Sequence, residues 1–591
     1  MVHYAVRSVH RLLQSRLGRP AGLADPGVRL LDPAAGTMNF VRAAWRVALA
    51  AHRGGALRDL IRDHLLVHFT GIELLPDVHA RGVAALRRLL QAAGCNAPAE
   101  RLPAVLGDAL EPLPGIFAQP FNVVLGNPPW RGCSSNRGDW ITDLLRGYRL
   151  PDGRQDEGYF RVDGTPLGER NPKWLQDDYV KFLRLAQVLI DRNGEGIVAF
   201  VLNHNFLDAP TFAGLRRSLL RTFHEVYVLD LHGNSRRQER GNVFPGVAQG
   251  AAVLFLVRKA GLRRRVLRAD LHGSRGDKLK ALERSDATAT AWEEVAPHPP
   301  GYLFVRGDRA LEREYERGLP LPEIFPVHGT GIVTGRDAEV TAVERKTLAV
   351  RFGADLETRI AVFLARPFDL QYVLYAEGFL ARPRRALMAH FLAGDNVGLI
   401  VPRQHKEEPG ALVTRWIAGH KVVSACDVSA LFPLYLVDGS ERRPNLAPGL
   451  GRRLGDLYGA EPEPEAILSC VYANLYSPFY RRHYRELLRR SFPRISFPRE
   501  PKLFATLSAL GRELIDLHLL QDPRLHRGRA EEIEPEVWSY RIGGYRVLPQ
   551  WLRARRGRAL SPPETRRFRQ ITEALRLTLE AQAKIEEVTG D

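Results

Sequence analysis

Asn127-Pro128-Pro129-Trp130 concentrates more chemistry than any other segment of the chain. It follows the apolar run Val123-Val124-Leu125-Gly126. Two successive prolines cannot continue a central strand, so the chain leaves the sheet in a fixed direction. Asn127 then stands at the strand tip, a carboxamide beside an aromatic ring. Three further polar groups follow apolar runs in the same way. Leu30-Leu31 leads into Asp32-Pro33-Ala34-Ala35-Gly36-Thr37, where a Gly turn exposes backbone N–H groups and lets a ligand approach closely. Glu73 ends Phe69–Glu73 and could accept both hydroxyls of a ribose. Asp108 follows Pro103–Leu106 and could accept from an adenine amino group. Taken singly, an acidic residue at a strand end is a solvated terminus or a helix cap. Three in order, after three successive strands, make a nucleoside site of Asp32, Pro33, Ala34, Gly36, Glu73 and Asp108.

These residues need a sheet to hold them. Predicted strands at Val28–Leu31, Phe69–Glu73, Pro103–Leu106, Phe121–Gly126, Gly196–Leu202, Val226–Leu231 and Ala251–Val257 are mostly apolar throughout, as in strands buried on both faces. Helical patterns lie between them. In Asp178–Asn193 the residues Tyr179, Phe182, Leu183, Ala186 and Ile190 form one stripe. Val2, Val6, Val9, Leu13 and Leu17 predict an N-terminal amphipathic helix. This alternation implies an α/β, Rossmann-like doubly wound sheet with its site at the strand C-termini. The polar, Gly-rich stretch Arg131–Trp174 breaks the rhythm and reads as a long excursion at the sheet rim. A basic run at Arg263–Arg265 and prolines at 297–300 place a domain boundary within 260–300, taken as 1–270 and 271–591. The second part mixes short strands, turns and helices, an α+β pattern, and ends in a helix over Pro563–Glu587.

A chain of 591 residues is long enough for roughly two to four domains. Hydrophobic residues at 45% exclude a largely disordered chain. No apolar run reaches the roughly 20 residues that span a bilayer, so no membrane association is expected. The four cysteines, Cys95, Cys133, Cys426 and Cys470, are far apart and form no CxxC pair. Neither a disulfide framework nor a cysteine zinc site is expected, and the pattern suits a reducing cytoplasm. The net charge of +18 favours a polyanionic partner, nucleic acid first. Since Lys supplies only 10 of the 85 cations, genome composition is an alternative source of the Arg excess.

Asn-Pro-Pro-aromatic after the fourth strand, with Asp-Pro-Ala-x-Gly after the first, resembles the amino-group DNA methyltransferases that make N6-methyladenine. Asp178-Tyr179-Val180-Lys181-Phe182, Gly196-Ile197-Val198 through Asn203-His204-Asn205-Phe206-Leu207, Leu229-Asp230-Leu231-His232-Gly233-Asn234 and Asn242-Val243-Phe244 are similar to later blocks of that family. Beyond residue 300 the chain resembles the specificity region of single-polypeptide, type ISP restriction–modification enzymes. Arg366-Pro367-Phe368-Asp369, Arg382-Pro383-Arg384, Ile400-Val401-Pro402-Arg403-Gln404 and Phe432-Pro433-Leu434-Tyr435 carry that likeness. Tyr476-Ser477-Pro478-Phe479-Tyr480, Ser491-Phe492-Pro493-Arg494-Ile495 and Trp538 through Tyr545 continue it.

The resemblance implies S-adenosylmethionine as cofactor, no metal, and double-stranded DNA as partner. Asn127 and the Pro128 carbonyl would accept the amino protons of a flipped adenine, with Trp130 stacked on the base. Arg366, Arg382, Arg384, Arg385 and Arg403 would grip phosphates or read base edges, with a third to a half of them reaching DNA. The run Arg481–Arg490 reads as a solvated helix face, Cys133 as a bystander and His204 as a loop hydrogen-bonder. Three departures bear on activity. Met38 follows Thr37 where the family has Gly-x-Gly. The family's Thr-Pro motif before the first strand has no counterpart, so the chain is expected to be truncated or to take the motif from another chain. There is no Gly-x-x-x-x-Gly-Lys-Ser/Thr loop, so restriction is expected to need a separate nuclease–helicase chain. Two other readings stay open: a catalytically degenerate DNA-binding protein with the methyltransferase fold, and an RNA or protein methyltransferase.

Overall fold

The computed structural model describes the whole chain except residues 51, 53, 131, 133, 135, 150–152, 169–171, 236–238, 440, 527–531 and 591. The chain forms two compact units, Met1–Gly307 and Asp308–Asp591. Among the described residues, no helix is long and apolar enough to cross a membrane.

The first unit is built on a nine-stranded sheet. Its strands are β1 (Leu30–Asp32), β2 (Phe69–Glu73), β3 (Ala104–Leu106) and β4 (Val123–Gly126), then, after the hairpin β5 (Arg161–Val162) and β6 (Thr165–Pro166), β7 (Gly196–Asn203), β8 (Glu225–His232), β9 (Ala251–Arg258), β10 (Arg265–Asp270) and β11 (Glu293–Val295). The spatial order is β11-β10-β8-β9-β7-β4-β1-β2-β3. β1 pairs in parallel with both β2 and β4, so the strand order reverses at β1. That reversal is the topological switch point of a doubly wound sheet, where a ligand crevice opens beyond the strand C-termini. β9 is antiparallel to β7 and β8. β4, β7, β8 and β9 are buried on both faces, which is why they read as apolar runs rather than alternations.

Three sequence expectations change. β10 and β11 belong to the sheet, so the first compact unit reaches Gly307 rather than 270. β10 carries Arg265 and Arg268 inside it, and their charge hid it from a search for apolar runs; both pair with carboxylates of the sheet, Arg265 with Glu225 and Arg268 with Asp230. The excursion after β4 contains a helix, Asp139–Arg146, and the β5–β6 hairpin. The helix Asp178–Asn193 has the predicted limits but not one buried stripe: Asp178 to Asp191 are all buried. The excursion covers its polar face. Arg184 donates to the Leu144 carbonyl at 2.6 Å and pairs with Asp156, and Gln187 bonds Tyr159, Ser218 and Thr222.

The second unit opens with the helix Arg309–Glu316, followed by β12 (Leu319–Pro320), and holds two four-stranded sheets. Its other strands include β13 (Gly329–Thr330), β14 (Thr341–Ala342), β15 (Ile360–Arg366), β16 (Asp369–Leu374), β17 (Gly398–Pro402), β18 (Leu412–Thr414), β19 (Ile417–Ala418) and β20 (Ser429–Pro433). One sheet runs β13-β20-β17-β18, the other β14-β16-β15-β19. A layer of helices, Pro464–Tyr476, Pro501–His518 and Pro562–Thr589, is pinned by buried His518, which bonds Tyr472 at 2.6 Å and Thr578 at 3.0 Å. Burial pushes this imidazole well down to about 3, so it is neutral. The cations of Arg481–Arg490 are not a free solvated face. Arg482 pairs with Glu586, Arg485 with Glu408, Arg489 with Glu486 and Arg490 with the buried Glu312.

Met38 shows how tightly the first unit is packed. It is fully buried, at φ 61° in the left-handed region. Its side chain runs between Gly71 of β2 and Gly82 of the helix Pro76–Ala92; a Cβ on Gly82 would lie 2.8 Å from Met38 Cγ, and one on Gly71 would meet Met38 Sδ. Gly71→Ala is expected to lower stability by about 1–3 kcal/mol, the usual cost of overpacking. In a Met38→Ala background the penalty should shrink. Urea unfolding of the two single variants and the double variant measures this.

Candidate functional site

β1 delivers Asp32 to the switch point fully buried. Its Oδ1 accepts the Ala34 amide at 3.2 Å, and its Oδ2 has no partner. Burial pushes this carboxyl up to about 8; the Ala34 amide opposes the shift, and the negative charge of Glu73 adds to it. Pro33 is buried behind it. Ala34 and Gly36 are partly exposed on the turn, and Gly36, at φ 54°, faces open space: a Cβ there would meet nothing within 4 Å. The turn is tied to β2 by Ala35 N–H on the Ile72 carbonyl at 2.8 Å and by Gly36 N–H on Glu73 Oε2 at 2.9 Å. Glu73 Oε1 accepts from Leu75 N–H at 2.8 Å. Each carboxylate oxygen keeps a lone pair for a further donor.

Asp108 is used more fully than its sequence position suggests. Oδ1 accepts the Leu110 amide at 2.8 Å and Oδ2 accepts Asn136 Nδ2 at 2.9 Å. Asn136 is a residue that motif reasoning missed. Its Nδ2 also reaches Glu111, its Oδ1 accepts Gly138 N–H, and its carbonyl accepts from Lys181 Nζ at 2.6 Å. Asp177 Oδ2 accepts Gly132 N–H at 3.0 Å. The start of the helix Asp178–Asn193 and the carboxylates after β3 thus hold the chain that follows Trp130. Leu74, Leu75 and Leu106, each more than half exposed, add apolar surface beside Glu73; Leu106 is its partner in the β2–β3 register. A lone exposed leucine carries no motif signal.

At the tip of β4, Gly126 lies against Asp32: a Cβ on it would stand 2.7 Å from Asp32 Oδ1. Only a glycine lets the end of β4 come this close, and that contact sets Asn127 next to the β1 turn. Asn127 and Pro129 are exposed, Pro128 is buried and Trp130 is half-buried. The Trp130 ring meets Phe244 edge-on, with centroids 5.2 Å apart and planes at 88°. Its buried Nε1 has no partner. Phe244 therefore shares the wall of this crevice with Trp130. The structure brings Asp32, Pro33, Ala34, Gly36, Glu73, Asp108 and Asn127–Trp130 to one edge of one sheet. Met38 leaves the crevice open, since its side chain points into the core.

His204, expected as a hydrogen-bonder, bonds Asp230 and Asn234, each at 3.1 Å. Cys133 lies outside the described residues. His232, Asp270 and His272 bring ligand atoms within 4.8 Å of one another. Their charge is already balanced: Arg268 reaches Asp230 at 2.8 Å and Asp270 at 2.6 Å. Against the burial that lowers it, the hydrogen bond to Asp270 and the nearby Glu239 carboxylate raise His232 to about 9.

The predicted DNA contacts all lie in the second unit. Arg366 ends β15 half-buried, with its guanidinium 5.5 Å over the Tyr545 ring. Arg382, Arg384 and Arg403 are exposed. Arg382 is fixed by main-chain pairing to Val333, and Arg384, at φ 55°, starts the helix Arg385–Leu392. Arg385 pairs with Glu377 at 3.5 Å.

Residues 353–530 match the family described as the Type ISP C-terminal specificity domain. A comparison with curated proteins finds no match. Among solved structures, a nuclease-deletion mutant of the Type ISP restriction-modification enzyme LlaGI, in complex with a DNA substrate mimic, is 18% identical with a TM-score of 0.77, over 99% of this chain and 55% of that one. The DrdV–DNA complex is 21% identical at a TM-score of 0.78, over 99% and 69%. The ATP-dependent Type ISP enzyme LlaBIII bound to DNA is 17% identical at 0.78, over 99% and 46%. At these identities the likeness is one of fold, and it extends through both units. The chain spans about half the length of the two Type ISP enzymes it matches.

Asp32 also sets a pH dependence. Its folded value lies above the unfolded one, so its contribution to stability is full below about pH 4 and is lost as pH rises through about 8. Asp32→Asn should flatten that slope. Thermal midpoints of wild type and variant, compared from pH 5 to 8, test it; parallel curves would show that Asp32 ionises normally in the fold.

Proposed function

We propose that the chain is the modification and target-recognition part of a type ISP restriction–modification system, a site-specific DNA adenine-N6 methyltransferase. The observation that carries this reading is the contact of Gly126 with Asp32, which sets Asn127-Pro128-Pro129-Trp130 beside a Gly turn and three acidic strand ends. The likeness to DNA-bound Type ISP structures supports DNA as the partner. A cytoplasmic location accords with that substrate, and a separate nuclease–helicase chain is the proposed partner for restriction.

The β1–β3 edge suits S-adenosylmethionine. Open space at Gly36 admits a close ligand, Asp32 Oδ2 is unpartnered, and Glu73 keeps acceptor capacity for ribose hydroxyls. Leu106 supplies an apolar edge for a purine. When bound, the cofactor supplies an electrophilic sulfonium methyl group. The protein's part is to make a weak nucleophile competent. The adenine amino lone pair is delocalised into the ring, and the amine lies within the duplex until the base is flipped. Asn127 Oδ1 and the Pro128 carbonyl accept the two amino protons and turn the lone pair away from the ring. Trp130 stacks on the base, braced by Phe244 at 5.2 Å. Positioning of this kind carries most of the rate. The Met38 side chain lies in the core against Gly71 and Gly82, which supports a turn left open for the cofactor.

Methyl incorporation into DNA from labelled S-adenosylmethionine, read as N6-methyladenine by mass spectrometry, tests the proposal. Asn127→Ala should lower turnover by orders of magnitude with cofactor affinity unchanged, because the interaction is used mainly in the transition state. Glu73→Gln should instead weaken cofactor binding by about 1–3 kcal/mol, measured by calorimetry. Methylation that persists in Asn127→Ala would sink the assignment. DNA affinity should also fall steeply with salt, by orders of magnitude between low and moderate salt if about six phosphates are neutralised.

A further inference from the structure

The second unit holds a half-open cavity of about 560 Å³, into which Arg366 of the expected DNA contacts faces. That volume is within the range of small-molecule sites, roughly 300–1,000 Å³. Its geometry comes from strand pairing. β19 runs parallel to β15, with Phe363 beside Ile417 and Leu364 beside Ala418. The two strands therefore end together, and Gly419 N–H closes the joint on the Leu364 carbonyl at 3.0 Å. Arg366 emerges from one strand and Lys421 just beyond the other. Tyr545 spans them: its hydroxyl donates to the Lys421 carbonyl at 3.3 Å, and its ring lies under the Arg366 guanidinium. Arg553 adds a third cation to the wall, and Phe363 an apolar one.

The charge in this cavity is unbalanced. Of its two carboxylates only Asp369 has an ion-pair partner among the described residues, so Asp337 offsets one of the three positive charges. Asp369, 1% exposed, accepts from Arg555 at 2.9 Å and Gln371 at 2.8 Å, and Asp337 accepts the Thr334 hydroxyl. Among the described residues, Arg366, Lys421 and Arg553 have no ion-pair partner, whereas Arg482, Arg490 and Arg524 of the same unit all close onto carboxylates. Three cations and one uncompensated carboxylate around one recess leave a net positive charge that an incoming anion would offset. Guanidinium groups match phosphate in shape and donor number, and a lysine adds a point charge. A flat aromatic and apolar wall beside them suits a sugar or base.

We propose that this cavity binds the phosphate of a nucleotide through Arg366, Lys421 and Arg553. The phosphate has two sources, the backbone of duplex DNA or a free mononucleotide. The first rests on the function proposed above; the second does not.

The test compares the full chain with the triple variant Arg366→Gln/Lys421→Gln/Arg553→Gln in two assays, calorimetry with dAMP and duplex DNA binding across a salt series. Arg482→Gln is the control, a cation that is already paired. Arg366→Lys/Arg553→Lys keeps the charge and guards against loss of fold, which circular dichroism also checks. If the source is free nucleotide, wild type binds dAMP and the triple variant loses that affinity more than tenfold. If the source is DNA, dAMP is not bound and the salt slope of the triple variant falls by about 0.9, the share of the one phosphate the cavity holds. In both cases the lysine variant, which keeps the charge but not the guanidinium geometry, loses less than the triple variant. No dAMP binding together with an unchanged salt slope overturns the proposal. A chain that takes dAMP here but binds no DNA keeps the cavity's role and refutes only the DNA function.

Discussion

The first unit depends on one close approach. Where β4 ends beside β1, Gly126 sits against the Asp32 carboxyl with no room for a Cβ. Parallel pairing of both β2 and β4 to β1 makes this the point where the sheet reverses order, so everything carried by the strand C-termini converges there. Asp32 is thereby sealed from water and left with a single amide donor, which is why its carboxyl holds its proton to unusually high pH. A crevice with a buried acid at its base, a Gly turn on one side and a Pro-Pro exit on the other follows from that one contact.

Stability and site organisation share the same polar groups. The helix Asp178–Asn193 is buried on every side, a costly environment for Lys181, Arg184 and Gln187 unless each is bonded. Each is, and most of their partners come from the excursion after β4. The long polar segment is therefore a cover for the helix as well as the continuation of the Asn127–Trp130 motif. Asn136 links the two roles by bonding Asp108 and Glu111 while Lys181 holds its carbonyl. Phe244, braced against Trp130, extends the wall from the far side of the sheet order.

The arginine excess divides in the second unit into cations that hold the fold and cations that do not. Arg555 bonds buried Asp369 and stacks over Trp551, and Arg490 closes onto buried Glu312; losing either would take the opposing charge from a buried carboxylate. Arg382 and Arg384 stand exposed on one segment, and Arg366, Lys421 and Arg553 face a cavity. A count of charges cannot separate these groups, because each residue's role is set by what the fold places opposite it.

Much of the first unit was legible in the chain. Strands buried on both faces, the Gly turn after Asp32 and the Pro-Pro exit after Gly126 are encoded within a few residues, and so the order of acidic strand ends and the Asn127 motif could be read directly. β10 was not, since the charges that interrupt its apolar pattern find their carboxylate partners on neighbouring strands. The path of Met38 was equally hidden: its side chain departs from the ligand side only because Gly71 and Gly82 leave it a channel in the core. Asn136 meets Asp108 across 28 residues of sequence, and Arg555 meets Asp369 across 186. The sequence by itself determined which chemical groups stand at the ends of which strands, because turn chemistry and periodicity are local. Only the tertiary structure decided which carboxylates are bonded, which cations are left unpaired and where Met38 goes, because those depend on partners that folding alone brings within reach.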